Sequence, residues 1–234
     1  MAEDMSAKQA PLTLIVAATT KNGIGKDGAL PWPMLKKEMA YFARVTKRVP
    51  MPSNTGSLQS DTLKDNVLSG TQRNAVIMGR KTWESIPPKF RPLKGRTNIV
   101  ISSQARHELQ GIPDDVVVAS SILSALEDFD KHVKEGKALP LGRAFIIGGS
   151  SIYKSALEMP QTKHILLTRI QKDYECDTFF PVELGGTGTT SDGWQRRSLQ
   201  DLRKFAGEEV PDGPVTEAGG DEEVPFEYQL YERS

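Results

Sequence analysis

A single cysteine, Cys176, stands in 234 residues. That scarcity excludes an internal disulfide and a cysteine-rich zinc site, and it fits a reducing, cytoplasmic setting, with a nuclear or mitochondrial share left open. Net charge is missing too. Thirty Lys and Arg cancel thirty Asp and Glu, so no overall field draws the chain to nucleic acid or to a membrane surface. Long apolar runs are lacking: the longest, Leu12 to Ala18, is broken by Thr13 and is far too short to span a bilayer. Residues 1–11 carry Glu3 and Asp4 and no apolar stretch, so no secretory signal is expected. No G-x-x-x-x-G-K-[ST] occurs, which argues against a phosphate-transferring P-loop.

What is present describes a globular protein. Hydrophobic residues make up 38% and charged residues 26%, a balance that a chain of this length can fold around one core. Leu12–Ala18, Ala75–Met78, Thr97–Ser102, Val116–Ala119, Ala144–Ile147 and His164–Ile170 read as strands, most of them buried on both faces. Met34–Thr46, Arg80–Ile86, Ile122–Glu135 and Ser151–Leu157 alternate with them as helices. The alternation predicts an α/β domain with a largely parallel sheet. Trp194–Leu199 and Phe226–Arg233 read as two strands with no helix between, so an antiparallel hairpin is expected at one edge. Residues 50–73, with a short helix around Asp61–Leu68, and residues 207–225 read as surface insertions. The second holds seven acids, four glycines, three prolines and no base, too little apolar area to offset its ordering entropy.

One acid sits where a methyl group is expected. Met34, Leu35, Glu38, Met39 and Phe42 recur at the spacing of one helix face, and no Lys or Arg shares that stripe. Burial without a cation raises a carboxyl pKa, because the charged form loses hydration. Such a group can bind an N–H-rich ring or govern a proton. Its bland alternative is a helix-boundary residue whose head reaches water.

Two strand ends run into glycine and then a helix. Ala144–Ile147 leads into Gly148-Gly149-Ser150-Ser151-Ile152-Tyr153, and Val76-Ile77-Met78 leads into Gly79-Arg80-Lys81-Thr82-Trp83. Paired glycines let a backbone approach a flat ring or a diphosphate, and helix N–H groups with hydroxyls suit phosphate oxygens. Two bases in a helix's first turn oppose its dipole unless an anion docks between them. With Gly23-Ile24-Gly25 after the first strand, these turns suggest a long, charged cofactor across the strand ends. Packing alone also produces such turns.

In order and spacing these segments resemble dihydrofolate reductase. The resemblance rests on Gly23-Ile24-Gly25-Lys26, Leu30-Pro31-Trp32-Pro33, Glu38, Met78 through Trp83, Arg91-Pro92-Leu93-Lys94-Gly95-Arg96, Ile147 through Tyr153, and Asp177-Thr178-Phe179-Phe180-Pro181. It runs from about residue 12 to the C-terminus outside the two insertions, which are similar to those of fungal members. Residues 1–11 stand outside it as an N-terminal extension.

The resemblance implies a single domain with an eight-stranded mixed sheet and NADPH-dependent reduction of dihydrofolate, hydride going to C6 and a proton to N5. It implies that Glu38 grips the pteridine 2-amino group and N3, with Trp32 and Thr168 orienting water and carboxylate. Since N5 lies too far for direct transfer, the family's account is a relay through water or a tautomer. Ile15, Val16, Met39, Phe42, Ile86, Leu93, Ile147 and Tyr153 would surround the substrate, and Arg96 would pair the carboxylate of its glutamate tail. Ala17, Ile24, Gly25, Gly79, Arg80, Lys81, Thr82, Ser102, Ser103, Gly148, Gly149, Ser150, Ser151, Ile152 and Tyr153 would hold the cofactor. Ser103 and Ser120 depart from the pattern, standing where arginines often flank the 2′-phosphate. Met39 replaces a frequent aromatic, and Phe90 sits near the tail-binding loop. The implied ligands are dihydrofolate and antifolates, with no metal, nucleic acid or membrane, and a monomer is expected because no long exposed apolar stripe is evident.

Three rivals are weighed. A reductase acting on a pyrimidine intermediate of riboflavin synthesis shares the fold but generally lacks an acid at Glu38. A nucleotide-binding regulator would need no such acid. A nucleic-acid module is disfavoured by zero net charge and few exposed-looking aromatics.

Overall fold

The computed structural model describes residues 6–49, 71–109, 111–185, 190 and 192–234. The strands are β1 (Leu12–Thr19), β2 (Gly23–Gly25), β3 (Arg73–Gly79), β4 (Thr97–Ile101), β5 (Val117–Ala119), β6 (Leu141–Ile146), β7 (Thr162–Ile170), β8 (Thr178–Phe179), β9 (Gln195–Arg196), β10 (Val215–Gly219) and β11 (Glu222–Glu232). The α-helices among the described residues are α1 (Lys36–Lys47), α2 (Arg80–Ser85), α3 (Ile122–Lys134), α4 (Ser150–Leu157) and α5 (Leu199–Ala206). Eight strands form one mixed sheet in the order β10-β11-β7-β1-β6-β3-β4-β5, and the two-residue β9 adds beside β11. From β7 to β5 every neighbour is parallel, whereas β10 and β11 run antiparallel.

The continuous apolar runs become the central strands because helices cover both sheet faces. On one face Ala125, Leu126 and Phe129 of α3 and Tyr153 and Ala156 of α4 meet Leu12, Leu14, Ala75 and Ile77. On the other, Tyr41 and Val45 of α1 and Leu202 and Ala206 of α5 meet Ile15, Val76, Met78 and Phe145. Ahead of β1, Ala7 is buried, and its N–H donates to Asp130 of α3 at 2.7 Å.

The C-terminal third differs from expectation in two ways. The hairpin exists, but its strands are β10 and β11. Of Trp194–Leu199 only Gln195 and Arg196 pair with β11, and α5 follows where no helix was read. That helix is held by Ser198, whose hydroxyl accepts from the Asp201 N–H at 3.1 Å, and it ends at Gly207 with φ 70°. The supposed loop 207–225 contains β10. Gly219 there lies so close to Pro33 that an added Cβ would come within 2.6 Å of its ring, so tertiary packing orders a segment whose composition alone would not. Of the insertion at 50–73, residues 50–70, including the helix read around Asp61–Leu68, lie outside the described residues.

Candidate active site

The acid singled out in the sequence is buried. Glu38 lies in the first turn of α1 with 8% of its surface exposed, and the Thr168 hydroxyl on β7 donates to its Oε1 at 3.1 Å. Burial pushes the carboxyl up to about 7; the Thr168 hydrogen bond opposes that rise and the charge of Glu217 adds to it. The expected apolar stripe is corrected in part. Leu35 is buried and Phe42 half-buried, but Met34 and Met39 are 69% and 45% exposed, and Tyr41 and Val45 turn inward instead. The helix turns its Leu35–Glu38–Tyr41–Val45 line to the sheet, so the two methionines flank that line.

Beside Glu38 stand an aromatic of its own helix and one of β11, a strand expected from Phe226–Arg233 but given no part in the site. Tyr228 of β11 and Tyr41 of α1 approach to 4.1 Å between ring centres, and both phenols feel the Glu38 charge. Period-two alternation of Phe226, Tyr228 and Leu230 could have flagged Tyr228. Trp32 is buried with Leu35, Ile170, Val224 and Phe226, its ring 6.2 Å from Tyr174. No hydrogen bond joins Trp32 to Glu38 among the described residues.

An apolar wall extends from there. Ile15, Phe42, Ile86, Leu93 and Ile147 belong to one cluster. Val16, its neighbour on β1, points to the opposite face and packs with Tyr153 and Phe180, as strand alternation requires. At the end of the wall lies Arg96, 8% exposed, its Nη1 donating to the Thr46 hydroxyl at 2.8 Å and its Nε to the Lys94 carbonyl at 3.2 Å. The guanidinium sits 5.9 Å from the centre of the Phe42 ring. Among the described residues no carboxylate lies within ion-pair distance, and burial alone pulls its pKa down to about 10. Asn98 braces the loop that carries Leu93 and Arg96, accepting from the Leu93 N–H at 2.8 Å and donating to the Leu93 and Arg96 carbonyls at 3.0 Å.

The glycine turns lie side by side, because β3 and β6 are parallel neighbours. The Gly79 N–H donates to the Gly148 carbonyl at 2.8 Å, and an added Cβ on Gly149 would stand 3.4 Å from the Thr82 hydroxyl. The Gly148–Gly149 peptide is cis, and Gly148 has φ 117°, where a Cβ would also press on the Tyr153 ring. Tyr153 joins this turn to the acid: its hydroxyl donates to the Ile15 carbonyl at 2.8 Å, and its phenol feels the charge of Glu38. Ser150 donates to the Phe179 carbonyl at 2.8 Å, tying α4 to the strand that pairs with Gly23–Gly25.

Other expected cofactor residues are more scattered. Ile24 packs against the core beside β1, Ile152 is half-buried with its side chain 3.0 Å from a Cβ built on Gly79, and Ala17 abuts the Trp32 cluster. Ser151 and Lys81 are exposed. Arg80 pairs with Glu84 one turn on, at 2.8 Å, so its place in a first helical turn has a local partner. Ser102 is buried and its hydroxyl accepts from the Gln104 N–H, whereas Ser103 and Ser120 are exposed.

A buried acid, an apolar wall with an arginine at its end, and paired glycine turns beyond the C-terminal ends of β3 and β6 thus make up the candidate site. The family model described as Dihydrofolate reductase matches residues 61–193, more than half of the chain. The chain belongs to the dihydrofolate reductase family. It is 39% identical to a dihydrofolate reductase of Pneumocystis carinii, over 97% of this chain and 98% of that one. Identity to the dihydrofolate reductase of Schizosaccharomyces pombe is 40% over 94% of this chain but only 46% of that longer protein. The solved Schistosoma mansoni dihydrofolate reductase superimposes with a TM-score of 0.67 at 32% identity, covering 96% of this chain and 99% of that chain. Dihydrofolate reductases convert dihydrofolate to tetrahydrofolate with a nicotinamide dinucleotide as reductant, and this chain is an enzyme of that family.

Proposed function

We propose that the enzyme reduces 7,8-dihydrofolate to 5,6,7,8-tetrahydrofolate with NADPH, and that Glu38 is the residue on which the reaction turns. The observation that carries this reading is a buried carboxyl near pKa 7, hydrogen-bonded by Thr168, at the head of an apolar wall. An acid poised there can accept the 2-amino and N3 hydrogens of a pteridine and still take up a proton near neutral pH. Thr168 fixes the rotamer of the carboxyl. Ile15, Phe42, Ile86, Leu93 and Ile147 exclude water from the ring faces, which strengthens the hydrogen bonds at Glu38. N5 receives its proton through water, not from Glu38 directly. Arg96, desolvated and without a carboxylate among the described residues, fits the tail of the substrate as a two-pronged donor.

The glycine turns fit a dinucleotide. Gly148 holds a conformation that favours glycine, and Gly149 opens the start of α4 beside Thr82, at strand ends where open α/β sheets take such ligands. Ala17 and Ile24 would flank the nicotinamide, Gly149, Ser150 and Ser151 the diphosphate, and Thr82, Lys81 and Ser102 the phosphate end. When bound, the reduced nicotinamide supplies the hydride delivered to C6. Of the expected 2′-phosphate contacts Arg80 is shared with Glu84, so selection of NADPH over NADH rests on Lys81, Ser102 and Ser103.

The test is loss of nicotinamide absorbance on mixing protein, NADPH and dihydrofolate. Turnover blocked by a pteridine antifolate is expected. Glu38→Gln should keep the fold and NADPH binding while lowering the rate by orders of magnitude, less so at acid pH, where substrate arrives protonated. Full activity in that variant would remove Glu38 from the mechanism.

A further inference from the structure

A second carboxylate reaches the catalytic helix from the far end of the chain. Glu217, in β10 opposite Val224, is 9% exposed. Its two oxygens accept the Lys37 N–H at 2.9 and 3.0 Å. Helix α1 starts behind Leu35, which offers no side-chain cap. Glu217 therefore closes an otherwise uncapped helix start from another element, one residue before Glu38.

The surroundings of Glu38 are otherwise neutral. The groups that face it are the Thr168 hydroxyl on β7 and the phenols of Tyr41, Tyr153 and Tyr228 from α1, α4 and β11. Lys36 and Lys37 are exposed on the outer side of the helix, and among the described residues no Lys or Arg acts on the Glu38 carboxyl. Glu217 is the charged group that does.

We propose that Glu217 is a positioning residue for the reduction: anchored on the Lys37 N–H, it fixes the first turn of α1 and holds a second carboxylate next to the catalytic acid. This rests on the role given to Glu38 above. The C-terminal hairpin, outside the ligand wall, thereby adds to a pH response whose larger part comes from the burial of Glu38.

The two contributions separate by substitution. Glu217→Gln keeps an oxygen for the Lys37 N–H and removes the charge; Glu217→Asp keeps the charge and retracts the oxygens. Single-turnover hydride rates across pH 5 to 9, with thermal melts, are the measurements. For E217Q the alkaline fall of the rate should begin about half a pH unit lower, giving a loss of about threefold at pH 8 and little at pH 5.5. For E217D the melt should drop while the rate profile stays where it was. An E217Q profile superimposable on the parent's overturns the proposal, as does an E217D profile displaced as far as that of E217Q. If E217Q does not fold, the E217A profile decides: an alkaline fall that begins at lower pH supports the proposal, and an unmoved one overturns it. Glu38→Gln in the same series distinguishes the two readings. An E38Q profile that has lost the parent's inflection and rises only towards acid, beside an unmoved E217Q profile, sinks this inference alone, whereas an E38Q profile like the parent's sinks the role of Glu38 itself.

Discussion

Arg96 carries a charge that meets no carboxylate counter-ion among the described residues. It is held by a hydroxyl and a carbonyl and lies across the Phe42 ring. Losing a charge-assisted pair with a ligand carboxylate costs about 1.5–3 kcal/mol. Arg96→Ala should therefore weaken folate binding by roughly tenfold to a hundredfold, with little change towards pteridines that lack the glutamate tail. Fluorescence titration with both ligand types checks it, and equal losses would contradict the clamp. Single residues were unevenly legible in the sequence. Glu38 stood out because a lone acid interrupts an apolar helical period with no base beside it. Glu217 could not be found, since its partner is a backbone N–H 180 residues away and it lies in an acid-rich segment that reads as surface loop. Met39 was over-read: helical period alone does not say which edge of a stripe the sheet covers.

The strands of the parallel core were legible because burial on both faces forces unbroken β-branched and aliphatic runs, as in β1, β3 and β7. Helix α5 was missed for a different reason. Buried Trp194 and the apolar residues near it were read as strand, although Ser198 three residues before Asp201, with Gly207 beyond, spells a helix start and stop. Strand β10 had no such signal, and its order depends on pairing with β11. The capping claim has a direct check. Ser198→Ala removes the acceptor for the Asp201 N–H and should cost about 1 kcal/mol in chemical denaturation. The hydride rate should stay unchanged, because α5 supports the sheet behind the wall and no residue of it is assigned to the site.

At the scale of the molecule, a buried carboxyl and a half-buried imidazole work against each other. Glu38 moves from 4.5 to about 7 on folding, so its stability contribution is full below pH 4.5 and lost as pH rises through 7. His164, on the same strand as Thr168, is pulled from 6.5 to about 4 by burial and by Arg143. Glu232 at 3.7 Å is too distant to hold a proton on the ring against that burial. Its contribution is full above pH 6.5 and lost as pH falls through 4. Between pH 4.5 and 6.5 the two slopes have opposite sign. Urea denaturation of Glu38→Gln should accordingly show stability rising with pH across that interval, unmasking His164, where the parent stays nearly flat. A flat E38Q curve would mean that the imidazole does not titrate as its surroundings require.

The burial of both groups has a calorimetric corollary. As the chain folds near pH 5.5, an imidazole surrenders a hydrogen ion and a carboxyl takes one up, so these two sites exchange almost none with the medium. The heat of unfolding should then be nearly the same in acetate and in histidine solutions, despite their unequal ionisation enthalpies.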